Sequence, residues 1–291
     1  MKISTQTSYA VRALGMEGGI QLLCNAGYDA LDLSLFEMSN DDSPFNKDNY
    51  REYAKWVRSI ADGYGVTFNQ AHAPFVFNWA DDNVYHDIAQ PRVLRSLEIA
   101  ALVGARNIVV HPLHYLPYKG NERELHRLNI EYYKSFIPYC QEYGIKVAVE
   151  NMWRRDPVRK YIIDSVCSRS AELAAMVDEL NDIAPCFTAC LDVGHSVLIG
   201  EEAEDAIRVL GAKRLGALHI HDNNYIADQH TLPGLGIMNW QSITDALREI
   251  GYCGEFTYEA DSFLKGFAPD VLQTAARFMV DIARYWAAKC E

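Results

Sequence analysis

The sequence predicts an α/β fold of the closed (β/α)8-barrel class. Eight short segments with the character of buried strands recur along the 291 residues, and most are followed by a segment with helical periodicity. Several of these strands are near-continuous apolar runs, which is typical of parallel strands covered on the outside by helices. The length is close to the roughly 250 residues of such a barrel. No linker or change in composition divides the chain, and we therefore expect residues 1–291 to form one domain.

Strands and helices follow each other in regular alternation. The predicted strands are residues 2–5, 29–35, 66–72, 107–111, 146–151, 187–195, 216–222 and 255–260. The predicted helices are residues 18–27, 49–65, 91–105, 124–144, 170–181, 204–211, 240–251 and 269–290. Several helices end in a glycine just before the next strand, as helix C-caps do; examples are Gly27, Gly65, Gly144 and Gly251. Eight βα units favour a closed barrel over an open sheet.

Composition and charge exclude several classes of protein. The formal net charge of −12 is unfavourable for binding duplex DNA, because phosphate binding depends on Lys and Arg. The seven cysteines are scattered without a C-x-x-C pair, which indicates small apolar side chains in a reducing compartment. Residues 1–10 lack the apolar core of a signal peptide, and no apolar run approaches the ~20 residues that cross a membrane. We expect a cytoplasmic protein that does not bind membranes.

Ionisable side chains stand at the carboxyl ends of the third to eighth predicted strands. In a barrel, these strand ends and the loops after them form one mouth that carries the chemistry. We therefore expect the following side chains to converge: His72, His111, Glu150, Asp192, His195, His219 and Glu259.

Two of these carboxylates lie inside apolar runs, Glu150 in "KVAVEN" and Glu259 in "EFTYEA". Burying a carboxylate is costly unless its charge is compensated, and a cation is the natural compensation. Two Glu, one Asp and one His form an oxygen-rich set that suits Mn²⁺, Mg²⁺ or Co²⁺ and also accommodates Zn²⁺. The same carboxylates can move protons beside the metal. The structural alternatives are an ion pair with Arg for the two Glu, a turn cap for Asp192 and a buried core imidazole for His219.

The other histidines near strand ends leave more than one interpretation open. His195 can contact substrate, bind a second metal or orient Asp192, and substrate contact is our first choice. His72 and His111 can bind a metal, hydrogen-bond a sugar hydroxyl or serve structure alone. We interpret His221 as a side chain that supports a ligand rather than as a ligand itself.

Aromatic residues and a glycine-rich loop follow the strand ends. Side chains that can wall a sugar-sized pocket, or simply pack in loops, are Phe75, Phe77, Trp79 and Trp153. The "PGLG" at 233–236 is a weak phosphate signal, and we interpret it as part of a loop that folds over the mouth and is closed by Trp240. His86, His114 and His126 are interpreted as solvated loop or helix residues. The candidates for binding a substrate phosphate are Arg154, Arg155, Arg159 and Lys160, for which exposed charges on a helix are the preferred interpretation.

Five motifs together carry a resemblance to a known family. They are "VAVEN", "LDVGH", "LHIHDN", "DQHTLPGLG" and "FTYEA". The set resembles the xylose-isomerase-like TIM-barrel superfamily, which includes sugar phosphate isomerases and epimerases, ketose 3-epimerases, inosose-processing enzymes and, more distantly, apurinic-site endonucleases of the endonuclease IV type. The resemblance covers essentially the whole chain. It is specific for the superfamily and does not select one member.

The resemblance to the epimerases implies one divalent metal, for which we expect Mn²⁺ first, held by Glu150, Asp192, His219 and Glu259. It implies that the two Glu are the catalytic acid and base: one removes a proton beside a carbonyl and the other returns it, through a metal-stabilised enediolate. It also implies that His195 contacts substrate oxygens. Some epimerases have an Arg in the loop after the seventh strand, whereas residues 223–230 here contain none.

The resemblance to the endonucleases implies a different site, with nine ligands for three zinc ions. The chain has a residue for each: His72, His111, Glu150, Asp192, His195, His219, Asp228, His230 and Glu259. The motifs "LDVGH", "HIHDN" and "LPGLG" are closer to the isomerase branch, and the charge is unfavourable for DNA.

The sequence therefore predicts an isomerase or epimerase of a small sugar, sugar phosphate, sugar acid or cyclitol. The first alternative is a metal-dependent lyase or dehydratase of the same superfamily, and the second is the three-zinc endonuclease. The predicted substrate contacts are His195, His72, His111, Asp228, His230 and Trp153. We expect no nucleotide cofactor and no nucleic acid partner, and a homo-oligomer is left open.

Overall fold

The structure is a computed structural model that describes residues 1–75 and 84–291. Its strands are β1 (Ile3–Gln6), β2 (Ala30–Ser34), β3 (Thr67–His72), β4 (Asn107–Val110), β5 (Lys146–Glu150), β6 (Trp153–Arg155), β7 (Ile162–Asp164), β8 (Phe187–Asp192), β9 (Leu215–His219) and β10 (Phe256–Tyr258). Eight of them form one parallel sheet in the order β10-β1-β2-β3-β4-β5-β8-β9, and β6 pairs with β7 in a separate antiparallel hairpin.

Two backbone hydrogen bonds close this sheet into a barrel. The N–H of Ile220, just after β9, donates to the carbonyl of Thr257 in β10 at 2.8 Å. The N–H of Glu259, just after β10, donates back to the carbonyl of Ile220 at 3.1 Å. The predicted fold class and all eight predicted strands are thereby confirmed.

The helices cover the outside of the barrel. They are α1 (Ser8–Ala26), α2 (Tyr50–Asp62), α3 (Gln90–Val103), α4 (Glu122–Lys134), α5 (Ile137–Tyr143), α6 (Ser170–Ile183), α7 (Val193–Leu198), α8 (Ala203–Arg214), α9 (Trp240–Glu249) and α10 (Leu272–Lys289). The four glycines predicted to end helices all have positive φ, from 66° to 109°. No helix within the described ranges is long and apolar enough to cross a membrane.

Several predictions differ from the structure, among them the following. The predicted helix 124–144 is two helices, because Pro138 lacks the N–H that a continuous helix requires. The predicted strand 187–195 ends at Asp192, where α7 begins. Arg154 and Arg155, interpreted from the sequence as charges on a helix, lie on β6 instead.

Side-chain alternation along the strands places the site at one end of the barrel interior. A small apolar cluster of Val109, Ala148, Cys190 and Ala217 fills the interior between β4, β5, β8 and β9. Because side chains two residues apart in a strand face the same way, the residue two positions later on each strand also faces inward. These later residues are His111, Glu150, Asp192 and His219. All seven cysteines are free thiols, and Cys190 is among those that are fully buried.

Candidate active site

Glu150 is the centre of the cluster at the barrel mouth. Its Oε1 lies 2.9 Å from Nδ1 of His219, and its Oε2 lies 2.9 Å from Nε2 of His111 and 3.4 Å from Nε2 of His72. Burial alone would raise the pKa of this carboxyl, but the imidazoles of His219 and His111 hold the pKa well below its usual range. Among the described residues no Arg or Lys lies within 4.0 Å of Glu150, so its partners are imidazoles rather than the Arg of the structural alternative.

Glu259 approaches the same histidine from the other side. Its Oε2 lies 3.0 Å from Nδ1 of His219, and its Oε1 accepts a hydrogen bond from Nε2 of Gln6 at 2.7 Å. Burial again opposes ionisation, but His219 and His230 hold the pKa of Glu259 well below its usual range. One ligand atom each of Glu150, Asp192, His219 and Glu259 lies within 4.8 Å of the others, which is the geometry of a shared cation site.

Asp192 combines a capping role with a place in this cluster. Its Oδ1 accepts the backbone N–H of His195 at 2.8 Å and so caps α7, as the structural alternative proposes. The same carboxylate also lies 2.9 Å from Nε2 of His221, which therefore contacts one of the predicted ligands. This approach requires glycine at position 194, because a Cβ there would lie 2.0 Å from the ring of His221.

A second cluster lies beside the first, in the loop after β9. Oδ2 of Asp228 lies 3.5 Å from Nε2 of His195 and 3.1 Å from Nε2 of His230, and it accepts a hydrogen bond from Nε1 of Trp153 at 3.3 Å. Although burial opposes it, Asp228 raises the pKa of His230 to about 10. His230 has a φ of 46°, which is uncommon outside glycine, and its ring stacks on His221 at 4.0 Å.

The nine candidate ligands fall into three groups, of which two share Glu150, and in each group one ligand atom of every residue lies within 4.8 Å of the others. One is the Glu150 group with Asp192, His219 and Glu259. The other two are His72 with His111 and Glu150, and His195 with Asp228 and His230. Every predicted site residue belongs to one of these groups except Trp153, which donates to Asp228.

The glycine-rich loop owes its shape to one buried carboxylate. Oδ2 of Asp222 accepts Nε1 of Trp240 at 2.7 Å and the N–H of Gly234 at 2.8 Å, and its Oδ1 accepts the N–H of Asn223 at 2.8 Å. Gly236 must lack a side chain, because a Cβ would lie 2.2 Å from Oδ1 of Asp222. Asp222 accepts these N–H groups and thereby fixes the shape of the loop.

A cavity of about 400 Å³ opens above the clusters. Its lining comprises His72, Phe75, His111, His114, Glu150, Met152, Trp153, Arg154, Arg155, His195, Asp228, His230 and Glu259. His114, interpreted from the sequence as a solvated residue, is largely buried there, and burial together with His111 and Arg154 lowers its pKa to about 4. Phe77 and Trp79, the other aromatic candidates, lie outside the described residues.

The hydrogen bonds of the imidazoles indicate that this site fits divalent cations. Nδ1 of His72, His195 and His230 lies 2.9, 2.8 and 2.7 Å from the backbone carbonyls of Ala73, Asn151 and Glu259. Such a carbonyl accepts the proton of Nδ1 and turns Nε2 toward the carboxylates; metal-binding histidines are usually held in this way. Within the described part of the chain, buried Oε2 of Glu150 and Oδ1 of Asp228 have no hydrogen-bond donor with suitable geometry.

Comparison with known proteins identifies the family. Residues 20–282 match the family model described as "Xylose isomerase-like TIM barrel". The chain belongs to the xylose isomerase-like TIM-barrel family. The family resemblance inferred from the five motifs is thereby confirmed.

Known members of this family give the following similarities. The chain is 27% identical over 213 residues to the uncharacterized protein MJ1311 of Methanocaldococcus jannaschii. The aligned stretch covers 70% of this chain and 68% of that protein. It superposes with a TM-score of 0.73 and 18% identity on D-psicose 3-epimerase crystallised in the presence of D-fructose, covering 98% of this chain and 99% of the other. It superposes with a TM-score of 0.72 and 17% identity on the IolI protein with a bound zinc atom, covering 100% of this chain and 98% of the other.

Sequence reasoning missed a layer of polar side chains beneath the candidate ligands. Gln6 holds Glu259, and Gln70 donates from Nε2 to Oδ2 of Asp32 at 2.9 Å. Asp32 has 0% exposure and lies within the apolar run "DALDLSL". A carboxylate in an apolar strand was the signal that singled out Glu150 and Glu259, and the same signal is present at Asp32.

Proposed function

We propose that this protein is a metal-dependent isomerase or epimerase of a small carbohydrate. The observation that carries the proposal is the pair of buried carboxylates, Glu150 and Glu259, which approach the same Nδ1 of His219 at 2.9 and 3.0 Å. Both line the cavity at the barrel mouth. Two ionised carboxylates beside a cation site and open to a sugar-sized cavity are suited to removing and returning a proton.

One divalent cation would be held by Glu150, Asp192, His219 and Glu259, and Mn²⁺ is the ion we expect first. When bound, the cation would polarise the substrate carbonyl and stabilise negative charge on its oxygen. The imidazole of His219 lies between the two Glu and lowers the pKa of both. The rings of His72 and His195 are held in place by hydrogen bonds from Nδ1 to uncharged backbone carbonyls.

The two Glu would act as base and acid. One carboxylate takes the proton from the carbon beside the carbonyl, which gives an enediolate. The other, after taking up a proton from solvent, gives it to the opposite face of that carbon, or to the former carbonyl carbon while the hydroxyl proton moves between the two substrate oxygens. Glu259 is held by Gln6 through Oε1, so its Oε2 is the oxygen available for this transfer. We assign the contacts to substrate hydroxyls to the residues around the cavity: His72, His111, His195, Asp228, His230 and Trp153.

The similar proteins support this assignment. D-psicose 3-epimerase, crystallised in the presence of D-fructose, shares the barrel over nearly the whole length, and so does the zinc-containing IolI protein. A lyase or dehydratase would begin with the same proton removal and then lose a hydroxyl group, so it is the alternative within this chemistry. The single domain over 1–291, the cytoplasmic location, the absence of a nucleotide cofactor and the oligomeric state stay predictions.

A specific observation favours phosphodiester cleavage as a second candidate function. The groups around His72 and around Asp228 adjoin the Glu150 group, as three cations acting on one phosphate would require. The net charge of −12 argues against a DNA substrate. We therefore keep the isomerase or epimerase as the first candidate.

Isotope exchange tests the proposal directly. The protein, loaded with Mn²⁺, is incubated in D₂O with a panel of ketoses, aldoses, their phosphates and sugar acids. Deuterium is then measured at the carbon beside the carbonyl. We expect exchange on at least one compound and its loss after chelation. Nicking of abasic DNA without exchange on any compound would overturn the proposal.

A further inference from the structure

Asp32 is a buried carboxylate that the proposed reaction does not use. It lies in β2, one layer below the ligands, and has 0% exposure. Its Oδ2 accepts a hydrogen bond from Nε2 of Gln70 at 2.9 Å and lies 3.5 Å from Nε2 of His219. In the described part of the chain its Oδ1 has no hydrogen-bond partner, and no Lys or Arg lies within 4.0 Å of it. A buried carboxylate with so few partners is costly unless it performs a task.

His219 is held differently from the neighbouring imidazoles. His72, His195 and His230 turn Nδ1 outward to a backbone carbonyl and Nε2 toward the carboxylates. His219 is reversed: Nδ1 faces Glu150 and Glu259, and Nε2 faces away from them. The acidic group nearest Nε2 is Asp32, whose Oδ2 lies 3.5 Å away on the side of the ring where the other rings have a backbone carbonyl. This contact is longer than those carbonyl contacts, and among the described residues Nε2 of His219 has no closer hydrogen-bond partner.

We propose that Asp32 is a positioning residue that holds a proton on Nε2 of His219 and so leaves Nδ1, whose proton faces the two Glu here, as the nitrogen from which a divalent cation would displace the proton. A neutral imidazole carries one N–H and one lone pair, and an acceptor beside one nitrogen decides which is which. A carboxylate behind the ring also makes the ligand nitrogen more basic. The inference rests on the cation site of the proposed function.

Gln70 and Gln6 extend this arrangement. Gln70 fixes Asp32 from the neighbouring strand, since residues 32 and 70 are partners in the pairing of β2 with β3. Gln6 fixes Oε1 of Glu259 at 2.7 Å and so leaves Oε2 toward His219. The layer below the ligands thus sets both the tautomer of the histidine and the orientation of one carboxylate.

Metal affinity tests the inference without depending on activity. Dissociation constants for Zn²⁺ and Co²⁺ are measured by competition with a chromophoric chelator for the wild type, Asp32→Asn and a control. We expect Asp32→Asn to weaken binding about 10- to 100-fold, as removal of a group behind a metal-binding histidine typically does. The control is Ser4→Ala, because Ser4 is equally buried and donates to Asn69 at 2.6 Å away from the ligands. We expect its affinity to stay within twofold of the wild type.

A spectroscopic readout keeps the inference testable if Asp32→Asn fails to fold. In the zinc-loaded wild type, ¹⁵N chemical shifts should show His219 with metal on Nδ1 and a proton on Nε2. Gln70→Met leaves the carboxylate in place but removes its support, and we expect a smaller loss of affinity in the same direction. Metal on Nε2 of His219, or an Asp32→Asn affinity within twofold of the wild type, would overturn the inference. A wild type that binds no divalent cation would instead overturn the proposed function.

Discussion

Nδ1 of His219 lies 2.9 Å from Oε1 of Glu150, although β8 separates their strands, β9 and β5, in the sheet. The contact crosses the barrel interior rather than following a strand pair. It therefore depends on closure of the sheet, which brings inward side chains of non-neighbouring strands together. Nδ1 of the same ring also meets Glu259 at 3.0 Å, so a single imidazole separates the two carboxylates to which we assign proton transfer.

Replacing either carboxylate by its amide should stop proton transfer while the barrel stays folded. We expect Glu259→Gln to lower the exchange rate about 10²- to 10⁴-fold, because the amide keeps the volume but neither accepts nor returns a proton. The measurement is the rate of deuterium exchange, with circular dichroism as the check on folding. Glu172→Gln is the control: this half-buried carboxylate accepts from Tyr118 at 2.9 Å outside the site, and activity should stay within about twofold. Normal exchange by Glu259→Gln would contradict the assignment.

The group around Asp228 decides between one cation and several. If Asp228 contacts substrate, Asp228→Asn should raise KM about tenfold, as loss of one charged hydrogen bond does, and leave the metal content at about one ion per chain. Metal content is measured by atomic emission on dialysed protein. A wild type with about three zinc ions, falling to two in Asp228→Asn, would favour the endonuclease alternative.

Gly194 should not tolerate a side chain. A Cβ at this position would lie 2.0 Å from the ring of His221, which contacts Asp192. We expect Gly194→Ala to lower the free energy of unfolding by about 1–3 kcal/mol, because the packed ring has to move. Denaturant unfolding measures the change. Gly266→Ala, where a Cβ would meet no atom within 4 Å, should change it by less than about 0.5 kcal/mol, and equal effects would contradict this explanation.

The ion pair between Asp29, just before β2, and Arg284 of α10 should make stability depend on pH. Burial raises the pKa of Asp29, but Nη2 of Arg284, 2.8 Å from its Oδ1, and the N–H of Ile3 outweigh burial and lower it. A lowered folded-state pKa gives stability that is present above the unfolded value of about 3.9 and is lost as pH falls through the folded value.

Asp29→Asn should therefore cost about 1 kcal/mol of unfolding free energy at pH 7 and much less at about pH 3. Urea unfolding at the two pH values measures both. Asp62→Asn serves as the surface control, because this carboxylate pairs with Arg58 at 3.4 Å in exposed positions, and we expect a loss of roughly 0.3 kcal/mol or less. An Asp29→Asn effect that is the same at both pH values would show that the ion pair is not its cause.

The strands and the ligand layer could be predicted because both depend on local patterns. A run of three apolar residues followed by a Glu, as at 147–150, indicates a buried strand and a compensated charge at once. The hairpin of β6 and β7 could not be predicted, because its strands have three residues each and carry Arg and Asp. Such short polar strands have no hydrophobic period.

The contacts within the loop after β9 could not be predicted from the sequence either, although Asp228 and His230 were named as candidates. The approach of Asp228 to His195 depends on the path of this loop, and that path is fixed by Asp222 through hydrogen bonds to residues 223, 234, 238 and 240. No spacing rule predicts that four donors turn toward one carboxylate. Asp32, by contrast, carried a usable signal, since it is a carboxylate within an apolar strand.

Deuterium exchange by the metal-loaded wild type, measured beside Glu259→Gln and beside the wild type after chelation, tests the central claim most directly. Our account predicts deuterium at the carbon next to the carbonyl of at least one sugar, sugar phosphate or sugar acid, with loss of exchange in both comparison samples. Exchange that persists in Glu259→Gln or without metal, or no exchange on any compound in the panel, would contradict it.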